Sequence, residues 1–245
     1  MALNKQSQRV WQKASGILLN EVLELDANEH VGLLTVIGGM RSVALFLSIS
    51  DTDATKLMHP LRSIRLKPIL ARGPVQVYTW ESPHPPEITR MFRTPLESLG
   101  LWVCRDLEDA RTIRDGVDQI TAGRLPGYPG CCIESQQRDK ARFEDAAIRG
   151  CVRAFGDGPA KIAQALLEDR KVSVEFEPGD TMERTAALFP FVQHVACESC
   201  LMSADTPTAV LNSKYRDLVA EVDPVLHGYL MRLAERVGGR SRQDG

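Results

Sequence analysis

Hydrophobic and polar positions follow two different periods along the chain. In the first half, short apolar runs have the length and composition of β-strands. We predict strands at residues 31–37, 42–48, 75–80 and 99–104. The first two runs flank Gly38 and Gly39, a pair typical of the turn between two closely paired strands.

Elsewhere apolar side chains recur every three or four positions, the period of an amphipathic helix. This pattern predicts helices at residues 10–25, from Asp51 or Asp53 to about Met58, and at 107–120, 132–152, 159–167, 206–222 and from Pro224 onward. Residues 171–176 form the one strand-like run of the second half. The proline-rich residues 82–86 predict an exposed connector or a lip over a site.

Strand patterns are concentrated before residue 124, and helical patterns dominate after it. The chain is therefore expected to be an α+β protein, with a small N-terminal mixed sheet and helices followed by a mainly helical C-terminal region. We divide it into an N-terminal region at 1–124, a thiolate-site region at 125–237 and a frayed tail at 238–245.

Composition narrows the classes of partner. The chain has 245 residues, of which 43% are apolar and 25% are charged, as in an ordinary globular protein with a sizeable core. Its net charge of −2 gives no general attraction to nucleic acid, so nucleic acid is not the expected partner. The absence of a long apolar run and of a signal-like start predicts a cytoplasmic protein without membrane contact. In that compartment paired cysteines are more often metal ligands or redox groups than disulfides.

The first cysteine motif is Gly-Tyr-Pro-Gly-Cys-Cys, which ends at Cys131 and Cys132. Gly127, Pro129 and Gly130 predict a turn just before a helix, so both thiols are expected near a helix N-terminus, where the dipole lowers a thiol pKa. Adjacent helical residues point about 100° apart. We therefore expect one ligand from this pair.

The second motif contains His194, Cys197 and Cys200 at three-residue spacing, which could direct all three side chains to one side of a short helix. With Cys131 or Cys132 they supply three thiolates and one imidazole. That set suits tetrahedral zinc, or an iron–sulfur cluster with histidine or an open iron position in fourth place. The spacing leaves both cofactors open.

Two glutamates, Glu134 and Glu198, lie beside these motifs and are candidate catalytic acids or bases. The remaining cysteines, Cys104 and Cys151, are predicted to be small buried apolar residues. The sequence has no phosphate-binding loop and no serine-hydrolase elbow, so neither nucleotide chemistry nor serine hydrolysis is indicated.

The two motifs together resemble a signature of uncharacterised cysteine-rich bacterial and archaeal proteins, Gly-Tyr-Pro-x-Cys-Cys followed by His-x-x-Cys-x-x-Cys. The resemblance extends over about residues 125–218. In that signature proline commonly precedes the first cysteine after the histidine, whereas this chain has Ala196. The resemblance implies a shared thiolate site and no particular activity.

The leading hypothesis is an iron–sulfur or similar thiolate-metal enzyme that performs redox or sulfur-transfer chemistry on a small molecule. A structural zinc site in an interaction module is the first alternative. The second is a metal-free dithiol oxidoreductase that uses Cys197 and Cys200.

Overall fold

The computed structural model describes residues 3–19, 27–46, 51–75, 77–93, 99–162 and 179–240. The helices and strands in these ranges are α1 (Lys5–Leu19), α2 (Ala27–Ile37), β1 (Val43–Phe46), α3 (Asp51–Ser63), β2 (Lys67–Arg72), α4 (Pro86–Arg93), β3 (Leu99–Cys104), α5 (Leu107–Asp115), α6 (Gln119–Arg124), α7 (Gly130–Phe155), α8 (Gly179–Leu188), α9 (Glu198–Leu201), α10 (Pro207–Val222) and α11 (Pro224–Arg240). The expected α+β class is confirmed: a small sheet lies in the N-terminal half and the C-terminal region is helical.

The sheet has three strands in the order β1-β3-β2, and both pairings are antiparallel. Central strand β3 is buried on both faces. Its Leu101 and Val103 side chains enter the main core, whereas Trp102 and Cys104 pack in a second core with α5. This alternation is the two-residue period of a strand. It explains why β3 appears in the sequence as a continuous apolar run.

The strand predicted at residues 31–37 is wrong, because these residues form most of helix α2. Four of its apolar side chains, those of Val31, Leu33, Leu34 and Val36, are completely buried, and so is that of Thr35. A helix that is apolar on all sides leaves no 3.6-residue pattern, so a short apolar run alone does not distinguish it from a buried strand.

The glycine pair after this run also has a different role from the expected turn between strands. Gly39 adopts a φ of +78°, and the next N–H, that of Met40, donates to the Thr35 carbonyl at 2.8 Å. Such a left-handed glycine is a common way to end a helix. Gly38 and Gly39 therefore terminate α2, and β1 pairs with β3 instead.

Other predicted boundaries shift. Residues 77–80 are irregular rather than a strand, and Val75 forms only an isolated bridge with Asp118. The helix predicted at 107–120 is two helices, α5 and α6, and α5 ends at Gly116. Asp118 is the N-cap residue of α6, and its side chain accepts a hydrogen bond from the Thr121 N–H.

The later helical predictions at 132–152, at 206–222 and from Pro224 onward are confirmed. The final helix, α11, extends to Arg240, which lies inside the tail predicted from residue 238. The strand predicted at 171–176 and most of the helix predicted at 159–167 lie outside the described residues.

The main hydrophobic core takes side chains from both halves of the chain. It joins α1, α2, α3 and one face of the sheet to α10, α11 and the segment at 189–201. Three cysteines belong to it: Cys132, Cys197 and Cys200. The division into regions at residue 124 stays a prediction. Among the helices in the described ranges, none combines the length and the apolar character needed to cross a bilayer.

Candidate metal centre

Four cysteines from two distant segments meet at one place. Cys131 and Cys132 lie in the first turn of α7, Cys197 is the N-cap residue of α9, and Cys200 lies within α9. All four sulfur atoms are within 4.8 Å of one another. We call Cys131, Cys132, Cys197 and Cys200 the four-sulfur group. The two cysteine motifs found in the sequence are therefore adjacent in the fold.

The turn before α7 places the first two sulfurs. Gly127 has a φ of +80°, and the Tyr128 N–H donates to the Gly123 carbonyl at 3.1 Å, which reverses the chain after α6. Helix α7 then begins after Pro129, the N-cap residue. The predicted turn and helix start are confirmed.

Both members of the adjacent pair belong to the group, although only one was expected to do so. The Cys200 sulfur lies 3.7 Å from that of Cys132 and 3.8 Å from that of Cys131. The Cys131 and Cys132 sulfurs are themselves 4.0 Å apart. Cys200 lies between the directions in which the Cys131 and Cys132 side chains point. The angle of about 100° between those directions therefore keeps neither sulfur out of the group.

Helix α9 is short, and it places the other two sulfurs. The Cys200 and Leu201 N–H groups both donate to the Cys197 carbonyl, at 2.9 and 3.0 Å, so the chain turns tightly between the two cysteines. The Cys197 N–H donates to the Cys132 sulfur at 3.5 Å. This bond joins residues 65 positions apart and supplies a backbone donor to a potential thiolate.

His194 does not belong to the four-sulfur group. Its Nε2 lies 3.1 Å from the Thr208 hydroxyl oxygen, which in turn is 3.4 Å from the Cys132 sulfur. Three-residue spacing aligns side chains only where the chain is helical, and α9 starts after Cys197. The structure thus places His194 one hydroxyl group away from the sulfurs rather than among them.

A buried arginine lies behind His194. The imidazole packs on the Tyr128 ring with centroids 4.8 Å apart, and the Arg41 guanidinium lies 5.0 Å from the centroid of the same ring and 5.6 Å from that of Tyr215. Arg41 is 3% exposed and donates to the Pro126 carbonyl at 3.1 Å and to the Gln193 side-chain oxygen.

All the acceptors bound by Arg41 are neutral. Its Nη2 atom is buried without a hydrogen-bond partner, and within the described ranges no carboxylate pairs with it. A buried cation without a counter-charge is costly. Arg41 thus brings an unbalanced positive charge close to His194 and Tyr215. This charge adds to the effect of burial in lowering the pKa of His194 and opposes the rise that burial causes in the pKa of Tyr215.

The thiols differ in acidity. Burial, together with the neighbouring Cys197 and Cys200, raises the pKa of Cys131 to about 11, and burial raises the pKa of Cys132 further. Burial also acts to raise the pKa of Cys200, but hydrogen bonds from Thr208 and the other three thiols outweigh it and lower that pKa to about 7. The lowered values expected for Cys131 and Cys132 at a helix N-terminus are therefore wrong, because burial, and for Cys131 also the neighbouring thiols, raises both pKa values.

These acidities limit the charge of the group. With a pKa of about 7, Cys200 begins to ionise near neutral pH, and a second thiolate would place like charges within 4.8 Å of each other. A bound cation removes this restriction, since metal binding deprotonates its thiol ligands. The donor set therefore fits a thiophilic metal ion.

Access to the group is one-sided. Cys131 is exposed, whereas Cys132, Cys197 and Cys200 are between 2% and 5% exposed. A ligand or oxidant in solution therefore meets one sulfur, and the other three are covered by the main core.

The two candidate catalytic glutamates lie outside the group. Glu198 is exposed and pairs with Arg184 at 2.9 Å. Glu134 is exposed and lines a cleft that α7 forms with α6 and residues 79–80. The catalytic roles of these two glutamates stay a prediction. Cys104 and Cys151 are buried away from the site, as predicted.

Sequence reasoning missed the polar surroundings of the sulfurs. Tyr128 stands inside the first motif and could have been noticed there. Thr208 and Arg41 lie far from both motifs in the sequence, so no local pattern marks them.

No protein-family model, curated protein or solved structure matches this chain. The resemblance to a cysteine-rich family therefore stays a prediction. The interpretation of the site rests on its own geometry.

We expect the His194 imidazole to remain neutral until about pH 4 in the reduced, metal-free protein, because burial and the nearby Arg41 charge lower its pKa to about 4. In the unfolded chain a histidine takes up its proton near pH 6.5. The folded state therefore loses up to about 3 kcal/mol of stability from this residue as the pH falls from 6.5 to 4. Titration of ¹⁵N-histidine-labelled protein by NMR measures the pKa, and the His194→Gln variant assigns the signal. A midpoint near pH 6.5 would contradict the described environment.

Proposed function

We propose that the protein binds a single metal ion, zinc in the first place, through Cys131, Cys132, Cys197 and Cys200. The sulfur spacing carries this proposal. In a tetrahedral zinc site with Zn–S bonds of about 2.3 Å, the sulfurs are about 3.8 Å apart. Three of the sulfur pairs in this group are separated by 3.7, 3.8 and 4.0 Å, and no pair exceeds 4.8 Å.

The same spacing favours one ion over an iron–sulfur cluster. A cluster places several irons and bridging sulfides between its cysteine ligands, so its thiolates stand further apart than those around one ion. Four thiolates in a tetrahedron suit zinc and also a single iron. Iron is therefore the alternative within the same geometry, and redox chemistry would depend on it.

The closed ligand set supports a structural role for the ion. Four protein ligands leave no open coordination position for a substrate. The ion would connect the start of α7 to α9, two segments that both contribute side chains to the main core. Its binding energy would then stabilise the packing of α7 and α9 in the C-terminal half.

The dithiol alternative has weaker support. Attack by a thiolate requires an accessible sulfur, and Cys197 and Cys200 are 5% and 2% exposed. The exposed sulfur, that of Cys131, lies outside the Cys-x-x-Cys pair.

Arg41 adds an electrostatic argument for a metal. One divalent ion with four thiolates carries a net charge of −2. A buried cation on this side of the site offsets part of that charge, whereas the metal-free group, with a single thiolate on Cys200, carries less negative charge to balance Arg41. Arg41 reaches the sulfurs through a chain of contacts that passes from Tyr128 to His194 and then to Thr208.

Protein purified without oxygen and without a metal-chelating tag is expected to contain one zinc per chain and no acid-labile sulfide. Replacing one ligand in Cys200→Ser should weaken zinc binding at least about 100-fold, since even changes behind the ligands cost 10–100-fold. A strong chelator should lower the thermal midpoint by about 10 °C. Elemental analysis, sulfide assay and calorimetry measure these quantities.

The matched control is Cys151→Ala, which removes a buried thiol outside the group and should retain one zinc per chain. Iron with stoichiometric sulfide would contradict the single-ion proposal. Metal content and affinity left unchanged by Cys200→Ser would contradict the site itself.

Replacement of Arg41 by methionine is expected to lower zinc affinity about tenfold, in the range known for changes behind the metal ligands. The cause is loss of the cation that offsets the negative site. Competition with a chromophoric chelator measures the affinity. Arg105→Met is the control, because Arg105 also donates to a backbone carbonyl, that of Val36 at 2.9 Å, but is exposed. Equal affinities in wild type and Arg41→Met would contradict the electrostatic argument.

A further inference from the structure

Helix α7 forms the wall of a second feature, a cleft of about 440 Å³. The other walls are α6 and the irregular residues Thr79 and Trp80. Its volume lies within the range of small-molecule sites. Gly130 and Ile133 line the cleft, so it shares the first turn of α7 with Cys131 and Cys132.

The cleft lies along one face of that helix. The α7 residues in the cleft are Gly130, Ile133, Glu134, Gln137, Arg138 and Ala141, a spacing of three and four that marks one face. In a regular helix Cys132 points about 200° from Gly130, and Cys131 about 100° from it. Cys132 therefore points away from the cleft, whereas Cys131 lies at the edge of the cleft face.

The irregular wall is held firmly against α7. The Trp80 indole N–H donates to the Glu144 carboxylate at 3.0 Å, and Arg93 forms two bonds of 2.7 Å with the same carboxylate. The Arg93 guanidinium also lies 4.4 Å from the Tyr78 ring centroid and 5.3 Å from that of Trp80. Residues 78–80 therefore form a fixed wall although they belong to no strand.

Two arginines face the cleft from different helices. Arg124 is at the end of α6 and Arg138 is on α7. Among the described residues Arg138 has no ion-pair partner, and the same holds for Glu134 one turn earlier. A planar guanidinium binds a carboxylate through two parallel hydrogen bonds. The cleft therefore offers two anchors for carboxylate groups.

A buried acceptor also borders the cleft. Gln137 is 8% exposed, and its Oε1 atom is buried without a hydrogen-bond partner in the described part of the chain. The Oε1 atom is covered, so the acceptor that a ligand in the cleft can reach is the exposed Glu134 carboxylate. It favours a ligand that carries an N–H or ammonium donor.

We propose that this cleft binds a small amino-dicarboxylic acid. Its two carboxylates would pair with Arg124 and Arg138, and its ammonium group would donate to Glu134. The three charged side chains sum to +1, which complements a ligand of charge −1. Trp80 and Ile133 supply an apolar wall for the carbon chain. Glu134 beside Arg138 disfavours inorganic phosphate and other compact polyanions.

The test is calorimetric titration of the full chain as purified, with its metal content measured in parallel. The probes are L-glutamate, L-aspartate, glutarate, which lacks the amine, and inorganic phosphate. At least one amino acid should bind with 1:1 saturation and more tightly than glutarate or phosphate. Arg138→Gln should weaken that binding at least tenfold, and Glu134→Gln should remove the preference over glutarate.

Arg142→Gln is the matched control, because Arg142 is an exposed arginine of the same helix outside the cleft, and its binding should equal that of wild type. Absence of saturable amino-acid binding would overturn the proposal, as would equal binding by Arg138→Gln. Phosphate or glutarate binding more tightly than both amino acids would also overturn it. Since zinc content is measured on the same samples, failure of the metal proposal remains distinguishable from failure of this one.

Discussion

Four sulfur atoms within 4.8 Å of one another cannot all ionise without a cation, and the C-terminal half of this protein is arranged around that constraint. The start of α7, the short helix α9 and the first turn of α10 all meet there, the last through Thr208. In the metal-free group one thiolate is tolerated on Cys200, because Thr208 and three thiols donate to it. A metal ion would allow the remaining thiols to lose their protons and would join these elements.

The sulfurs also belong to the main hydrophobic core, so the site and the fold are not independent. Cys132, Cys197 and Cys200 pack with side chains of α2 and α10, and Arg41 follows α2 directly. Arg41 extends the polar part of the site through Tyr128 and His194 toward the N-terminal half. A change of charge at the sulfurs would therefore change the electrostatic energy of Arg41, a buried cation in the other half of the chain. This arrangement suits a site that stabilises the fold more than one that exchanges substrates.

The sequence predicted this site more completely than it predicted the sheet. Glycines and prolines near Cys131 mark a turn, and the Cys197–Cys200 spacing is typical of metal ligands, so local chemistry was sufficient for both motifs. The role of His194 was not predictable in this way, because it depends on where α9 begins. The acidities of the cysteines were also missed, since burial in the core raises the pKa values of Cys131 and Cys132 and burial is a property of the whole fold.

The difference between local sequence patterns and tertiary packing also explains which helices and strands were predicted correctly. Amphipathic helices such as α10 keep one polar face, and their period is visible in the sequence. Helix α2 has no such face, so its apolar run was predicted to be a strand. Strand β3 was predicted from the length and composition of its short apolar run. Arg41 and Thr208 come to the site only through tertiary packing, which no single-sequence pattern contains.

X-ray absorption spectroscopy at the metal edge tests the central claim most directly, because it reports the ligand atoms and their distances around the bound ion. We predict one shell of four sulfurs at about 2.3 Å around zinc, with no nitrogen ligand and no second metal nearby. A nitrogen ligand would return His194 to the ligand set. A metal–metal distance would indicate a cluster instead of a single ion. Either result would contradict a single ion held by four cysteine sulfurs.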